Sequence, residues 1–219
     1  IVREYFESLV VAVILALFVR TWAFQAFKIP TGSMEPNLLV GDHLIVNKMG
    51  FAPVRRGDIV VFKFPKDPER DFIKRVIGLP GDRVQMIANK LYINGQPVKD
   101  VVVSQGEMQD IFGPRPITEV RETLPNGKTF MTQDFGPGGD LDDTPVYQVP
   151  AGHYFMMGDN RDNSIDSRVD PLNGVGMVPA ENLVGKAQMI LFSWEPGSSL
   201  WNPVSWFRVR LDRFFTVLH

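Results

Sequence analysis

Apolar residues run without a break from Leu9 to Val19, LVVAVILALFV, and only Arg20, Thr21 and Gln25 interrupt the stretch before Phe27. A helix over Tyr5–Phe27 would be about 35 Å long at ~1.5 Å per residue, enough for a hydrocarbon core of about 30 Å. A transmembrane anchor is therefore predicted within residues 1–28. Trp22, Phe24 and Phe27 would meet the far interface, with Arg20 snorkelling beside them. A cleaved signal peptide is the competing reading, but Ala23-Phe24-Gln25-Ala26-Phe27 is too bulky for its cleavage site. Arg3, Glu4 and Glu7 before the run and Arg20 and Lys28 after it do not set an orientation.

Beyond Pro30 the period changes. Short β-prone runs alternate with turn residues: Asp58–Lys63, Val84–Ile87, Leu91–Ile93, Thr118–Thr123, Lys128–Thr132, Tyr154–Met157 and Ala187–Phe192. Ala88-Asn89-Lys90, Asn94-Gly95 and Leu124-Pro125-Asn126-Gly127 predict hairpin connections between neighbouring runs. Many short strands with Gly and Pro turns predict a mostly β, antiparallel, sandwich or barrel-like fold. Residues 104–146, with Gly136-Pro137-Gly138-Gly139 and Asp140, Asp142 and Asp143, read as an inserted hairpin with long solvated loops. In the last segment Trp194, Trp201, Trp206 and Phe207 alternate with Arg208, Arg210 and Arg213. Such a tail fits a membrane interface, or a core strand with its arginines in solvent.

The 219 residues carry 23 Lys plus Arg against 25 Asp plus Glu, a formal charge of −2. That balance argues against a nucleic-acid partner, whose footprint is strongly basic. The absence of cysteine excludes disulfides, thiolate metal sites and a cysteine nucleophile. With His43, His153 and His219 as the only histidines, no metal and no cofactor is expected.

Three segments carry candidate chemistry. Ile29-Pro30-Thr31-Gly32-Ser33-Met34-Glu35-Pro36 places a hydroxyl on a turn that two prolines keep out of any continuous helix. By itself it is an ordinary loop. In Phe72-Ile73-Lys74-Arg75-Val76-Ile77-Gly78-Leu79-Pro80-Gly81-Asp82, alternation puts Lys74 on one face with Phe72 and Val76. A lysine held there is either snorkelling or desolvated; desolvation lowers its pKa and makes a neutral base available. Gly158-Asp159-Asn160-Arg161-Asp162-Asn163-Ser164-Ile165-Asp166-Ser167-Arg168 is dense in charge and amide groups. It fails the EF-hand pattern, because Arg161 and Ser164 stand where that pattern needs a carboxylate or amide and a glycine. It is a solvated turn or an ion-paired platform.

Together, Thr31-Gly32-Ser33-Met34 after an apolar helix, Arg56-Gly57-Asp58-Ile59-Val60-Val61-Phe62, Lys74 to Asp82 and Gly158 to Arg168 resemble bacterial type I signal peptidase, in the family's order. The resemblance implies a membrane-anchored protease that removes signal peptides from exported preproteins. It makes Ser33 the nucleophile and Lys74 the general base, with the Thr31 hydroxyl and the Ser33 N–H as the oxyanion hole. It implies that Ser164 hydrogen-bonds the base and that Asp166 and Arg168 form a supporting ion pair, joined by Asp159 and Arg75. Phe27, Ile29, Leu38 and Ile73 are expected to line shallow pockets for Ala one and three residues before the cut, and Glu35 to face solvent. The expected organisation is an anchor over 1–28, a β-rich catalytic domain over 29–103 and 147–205, the insertion over 104–146 and a basic aromatic tail over 206–219. Implied partners are signal peptides, the lipid bilayer and proximity to the secretion translocon; the implied location is the bacterial inner membrane, with the catalytic domain outside the cytoplasm. A protease dedicated to one substrate is the nearest alternative, and a non-enzymatic anchored β module a more distant one.

Overall fold

The apolar run is helical: α1 spans Val2–Trp22 in the computed structural model, which describes residues 2–22, 24–49, 53–110, 113–169, 172–198 and 207–218. The helix stops before the expected Phe27, because Phe24–Lys28 forms strand β1. There Phe24 pairs with Asn47 and Lys28 with His43, so the backbone groups that a helix would use internally are bound across a sheet. Tyr5, Phe6, Leu9, Val11 and Ile14 of α1 are each more than 60% exposed and point to all sides of the helix, so the body covers none of them. Among the described residues no helix is long and apolar enough to cross a membrane. The side chains of Arg20 and Trp22, on which the expected far interface rests, lie outside those described.

After β1 come β2 (Asp42–Asn47), β3 (Ile59–Phe64), β4 (Asp67–Gly78), β5 (Arg83–Ile87), β6 (Lys90–Ile93), β7 (Gln96–Pro97) and β8 (Lys99–Asp110). Then follow β9 (Gly113–Thr123), β10 (Thr129–Asp134), β11 (Tyr147–Gln148), β12 (His153–Met157), β13 (Val178–Pro179), β14 (Leu183–Ser193) and β15 (Thr216–Val217). The main sheet has the order β1-β2-β14-β3-β4-β12-β13, with β15 also on β14; β10-β9-β8 and β11-β5-β6-β7 form two smaller sheets. All strand pairings are antiparallel, as the sequence predicts. The main sheet runs from β1 to β13 without closing into a barrel among the described residues. The two predicted tight hairpins form: Ala88-Asn89 and Asn94-Gly95 all have positive φ, as the twist-matched two-residue turn requires. Within residues 104–146 the chain builds a long ribbon, β8 paired with β9, whose first strand begins at Lys99.

Strand β3 explains how the core is divided. Its apolar run Ile59-Val60-Val61-Phe62 is buried on both faces. Ile59 and Val61 join Ile29, Met34, Leu38 and Leu44 in one cluster, while Val60 and Phe62 join Val76, Met156 and Val178 in another. This strand, close to continuously apolar, pairs with β4 in unbroken register from Asp71 to Arg75 and so holds the stretch that carries Lys74.

Candidate active site

Lys74 lies in the middle of β4, opposite Val60 of β3. It is 4% exposed. Its Nζ donates to Ser33 Oγ at 2.6 Å. Ser33 stands on a single 3₁₀ turn, Gly32–Met34. Pro30 and Pro36 bracket that turn, and Met34 anchors it by burying its side chain in the core. Burial pushes the Lys74 ammonium down to about 8, against the opposing pull of Asp166 and Asp159. Thr31 Oγ1 lies 3.5 Å from Ser33 Oγ, so the three groups meet at one point on the wall of the cleft.

The segment 158–168 is the platform behind this point. Asn160 donates from its backbone N–H to the Ser33 carbonyl at 3.2 Å and from Nδ2 to the Gly32 carbonyl at 3.1 Å. Gly158 is packed so closely that an added Cβ would come within 2.5 Å of the Ser33 carbonyl oxygen. Two buried ion pairs stiffen the platform. Arg75 grips Asp159 through Nε and Nη2, both at 2.7 Å, and donates from Nη1 to the Gly57 carbonyl at 2.8 Å. Arg168 grips Asp166 at 3.0 and 2.9 Å, and the same carboxylate accepts the Gly158 N–H at 2.9 Å. Burial raises the Asp166 carboxyl, but the Arg168 guanidinium and these donors outweigh it and hold the group below its ordinary value. Geometry of this kind, bidentate and with the remaining lone pairs used, is what allows buried charges to be kept.

Several expected roles fall elsewhere. Ser164 lines the cleft, but its buried Oγ has no hydrogen-bond partner among the described residues and does not reach Lys74. The hydroxyl is turned onto Gly158, where a Cβ would lie only 2.2 Å from it. Ile29 and Leu38, 2% and 0% exposed, are closed into the core beneath the cleft; Phe27 is half-buried against that cluster, and of the four expected pocket residues only Ile73 lines the cleft. Glu35 does not face open solvent: it is half-buried, accepts from Gln133 Nε2 at 3.5 Å, and burial raises its carboxyl.

Sequence reasoning missed Asn160, Gln133 and Asn37. Asn37 Nδ2 donates to Asp159 at 2.7 Å and to the Met131 carbonyl at 2.6 Å, and the Gln133 backbone is bridged to the platform on both sides. Asn160 lay within the Gly158 to Arg168 segment, but no local pattern pointed to its contacts or to those of Gln133 and Asn37.

The cleft has a volume of about 1240 Å³. Arg70 to Lys74 of β4 form one wall, Phe135 to Leu141 another, and Asp162 to Ile165 a third. Along that first wall β4 pairs, among the described residues, only with β3, because β12 reaches no further than Arg75. One edge of β4 is therefore free beside the Ser33 and Lys74 side chains. A serine hydroxyl, a desolvated amine and a neighbouring threonine hydroxyl, next to an open strand edge, form an arrangement suited to acyl transfer from an extended peptide.

The family model described as Signal peptidase, peptidase S26, matches residues 2–194 of this chain. The signal peptidase I of Pseudomonas aeruginosa is 38% identical over 211 residues, covering 87% of this chain and 72% of that protein. That of Rickettsia typhi is 35% identical over 258 residues, covering 100% of this chain and 94% of that protein. The solved signal peptidase I of Enterococcus faecalis V583 is 27% identical and covers 63% of this chain and 98% of its own, with a TM-score of 0.37.

Proposed function

This chain belongs to the signal peptidase family of the S26 peptidases, and on that premise we propose that it removes signal peptides from preproteins with Ser33 as nucleophile and Lys74 as general base. The observation that carries the dyad is the 2.6 Å contact between Lys74 Nζ and Ser33 Oγ inside the protein. In the neutral amine state Lys74 takes the Ser33 proton as Oγ attacks the scissile carbonyl. The tetrahedral oxyanion is held by the Ser33 N–H and the Thr31 hydroxyl, the latter 3.5 Å from Ser33 Oγ in the resting site. Lys74 then returns the proton to the leaving amine. A water deprotonated by Lys74 opens the acyl-enzyme on Ser33. Asp166, Arg168, Asp159 and Arg75 keep the Ser33 turn and β4 in register without touching substrate.

The preprotein binds as an added strand on the free edge of β4. Ile73 and Phe72 border that edge and leave room for Ala one and three residues before the cut. The exposed apolar residues of α1 and the tail residues Phe207, Leu211 and Phe215, which are 93%, 74% and 62% exposed, meet the bacterial inner membrane. The cleft lies on its extracytoplasmic side, beside the translocon, where the cleavage site emerges. An apolar surface of this extent, left uncovered by the body, is what a lipid surface would cover.

The test is cleavage of a purified preprotein carrying an Ala-X-Ala site by wild type and Ser33→Ala, with the cut mapped by mass spectrometry. Cleavage after the second Ala, lost in Ser33→Ala, supports the reading. A cut elsewhere, or an active Ser33→Ala, overturns it.

A further inference from the structure

Three carboxylates converge at the rim of the cleft. Asp134 comes from the end of β10, Asp142 from the loop that follows, and Asp162 from the platform; each offers one oxygen, and the three oxygens lie within 4.8 Å of one another. Asp134 and Asp142 are only 8% and 7% exposed. Backbone donors satisfy part of this charge. Asp134 Oδ1 accepts from Gly136 at 2.7 Å, Asp142 Oδ2 from Gly138 and Gly139 at 2.7 and 2.9 Å, and Asp162 Oδ2 from Phe135 at 2.8 Å. Asp134 Oδ2, by contrast, is buried with no hydrogen-bond partner among the described residues. A buried carboxylate oxygen without a donor, beside two more carboxylates, is costly unless a cation meets it.

We propose that Asp134, Asp142 and Asp162 bind a calcium ion that ties the 135–142 loop to the 158–168 platform. The donor set is all oxygen, which selects hard cations over zinc or copper. Calcium accepts six to eight oxygens in flexible geometry, which suits three carboxylates fixed by separate loops, whereas magnesium demands a regular octahedron and keeps several waters. Phe135 to Leu141 and Asp162 to Ile165 are two walls of the cleft. The ion therefore fixes the separation of those walls and takes no part in the Ser33 and Lys74 chemistry.

The experiment uses the full chain in detergent after chelation. Calcium binding is read by calorimetry and by displacement of luminescent terbium, and thermal unfolding is followed with calcium, with magnesium and with neither. One calcium is expected to bind, to raise the unfolding temperature with its concentration, and to outcompete magnesium. Asp134→Asn keeps the size and the Gly136 contact, and is expected to lose at least about tenfold in calcium affinity. Asp162→Asn is the second variant, for the case in which Asp134→Asn does not fold. Absence of heat, terbium signal and thermal shift in cooperatively folded wild type would overturn the proposal, as would unchanged affinity in a folded variant.

Discussion

Lys74 Nζ lies 2.6 Å from Ser33 Oγ although 41 residues separate the two in the chain. As an ammonium, Lys74 can only donate in this contact; as an amine it accepts the Ser33 proton. With its pKa near 8, about one molecule in ten holds the amine at pH 7, against fewer than one in a thousand for an ordinary lysine. kcat/KM should therefore climb about tenfold per pH unit below 8 and level off above it. Lys74→Arg, which keeps a charge that cannot be released, should lose about 10²–10⁴-fold in kcat. A flat profile between pH 6 and 9, or substantial activity in the arginine variant, would remove Lys74 from the role of base.

The same burial makes a stability prediction of opposite sense. The folded-state pKa of Lys74 lies below the unfolded value, so between about 8 and 10.5 the unfolded chain binds more protons and stability rises with pH. Below 8 the cost of the buried charge is present in full, roughly 3 kcal/mol from a shift of this size. Lys74→Met should be inactive yet more stable than wild type at pH 7 by about 2–3 kcal/mol, with the difference shrinking as pH approaches 10.5. Urea unfolding at the two pH values measures this. A methionine variant less stable at pH 7 would mean that the ammonium is well accommodated.

Thr31 offers its hydroxyl beside Ser33 Oγ but is itself exposed. Thr31→Val keeps the shape and removes the donor, so it should lower kcat by about 10²–10³-fold with KM little changed. Thr31→Ser should retain most activity. Wild-type kcat in Thr31→Val would remove this hydroxyl from the oxyanion hole.

Gly158 tests whether the platform sets the position of the nucleophile. An alanine Cβ there would sit 2.2 Å from Ser164 Oγ and 2.5 Å from the Ser33 carbonyl. A new rotamer would withdraw Ser164 Oγ, but its Cβ, also 2.5 Å away, and the Ser33 backbone must both move. Gly158→Ala should fold, at a cost of about 1–3 kcal/mol, and lose about 10²-fold in kcat by displacing Ser33. Wild-type kcat in this variant would show that the turn is held from elsewhere.

The parts of this fold written in local pattern were legible. Asn94-Gly95 made its hairpin, Ile59–Phe62 its doubly buried strand, and Lys74 stood out as a charge among strand residues. Residues near the nucleophile were harder to sort, because bulk and apolarity mark a pocket wall and a core position alike. Ile29 and Leu38 proved to be core, and Ile73 wall. Contacts that cross more than a hundred residues left no local trace at all: Asn160 holding the Gly32 carbonyl, and Asn37 holding Asp159, exist only once the platform folds over the Ser33 turn. The end of α1 was misplaced for a related reason, since Phe24 and Phe27 satisfy a helix until β2 offers them a strand partner.

The tail presents two faces that its sequence could not separate. Its Arg210 and Arg213 face inward, whereas Arg208 is exposed: Arg213 donates to Asp42 at 3.1 and 2.6 Å and to the Asn37 carbonyl at 2.8 Å, and Arg210 donates to the Val40 carbonyl at 2.7 Å. Its aromatic and aliphatic residues, Phe207, Leu211 and Phe215, face outward; Trp206 and His219 lie outside the described residues. Deleting the tail would leave Asp42, which is fully buried, without its guanidinium partners, and breaking such a buried pair costs about 3–5 kcal/mol. A deletion therefore confounds membrane binding with unfolding. The triple variant Phe207→Ser, Leu211→Ser and Phe215→Ser keeps both arginines and should melt within a few degrees of wild type, since exposed positions contribute roughly ±0.5 kcal/mol each. In flotation with vesicles of bacterial lipids it should bind less than wild type, while cleaving a peptide in detergent at an unchanged rate. Undiminished flotation would leave α1 as the sole membrane contact, and a loss of detergent activity would place these side chains at the substrate.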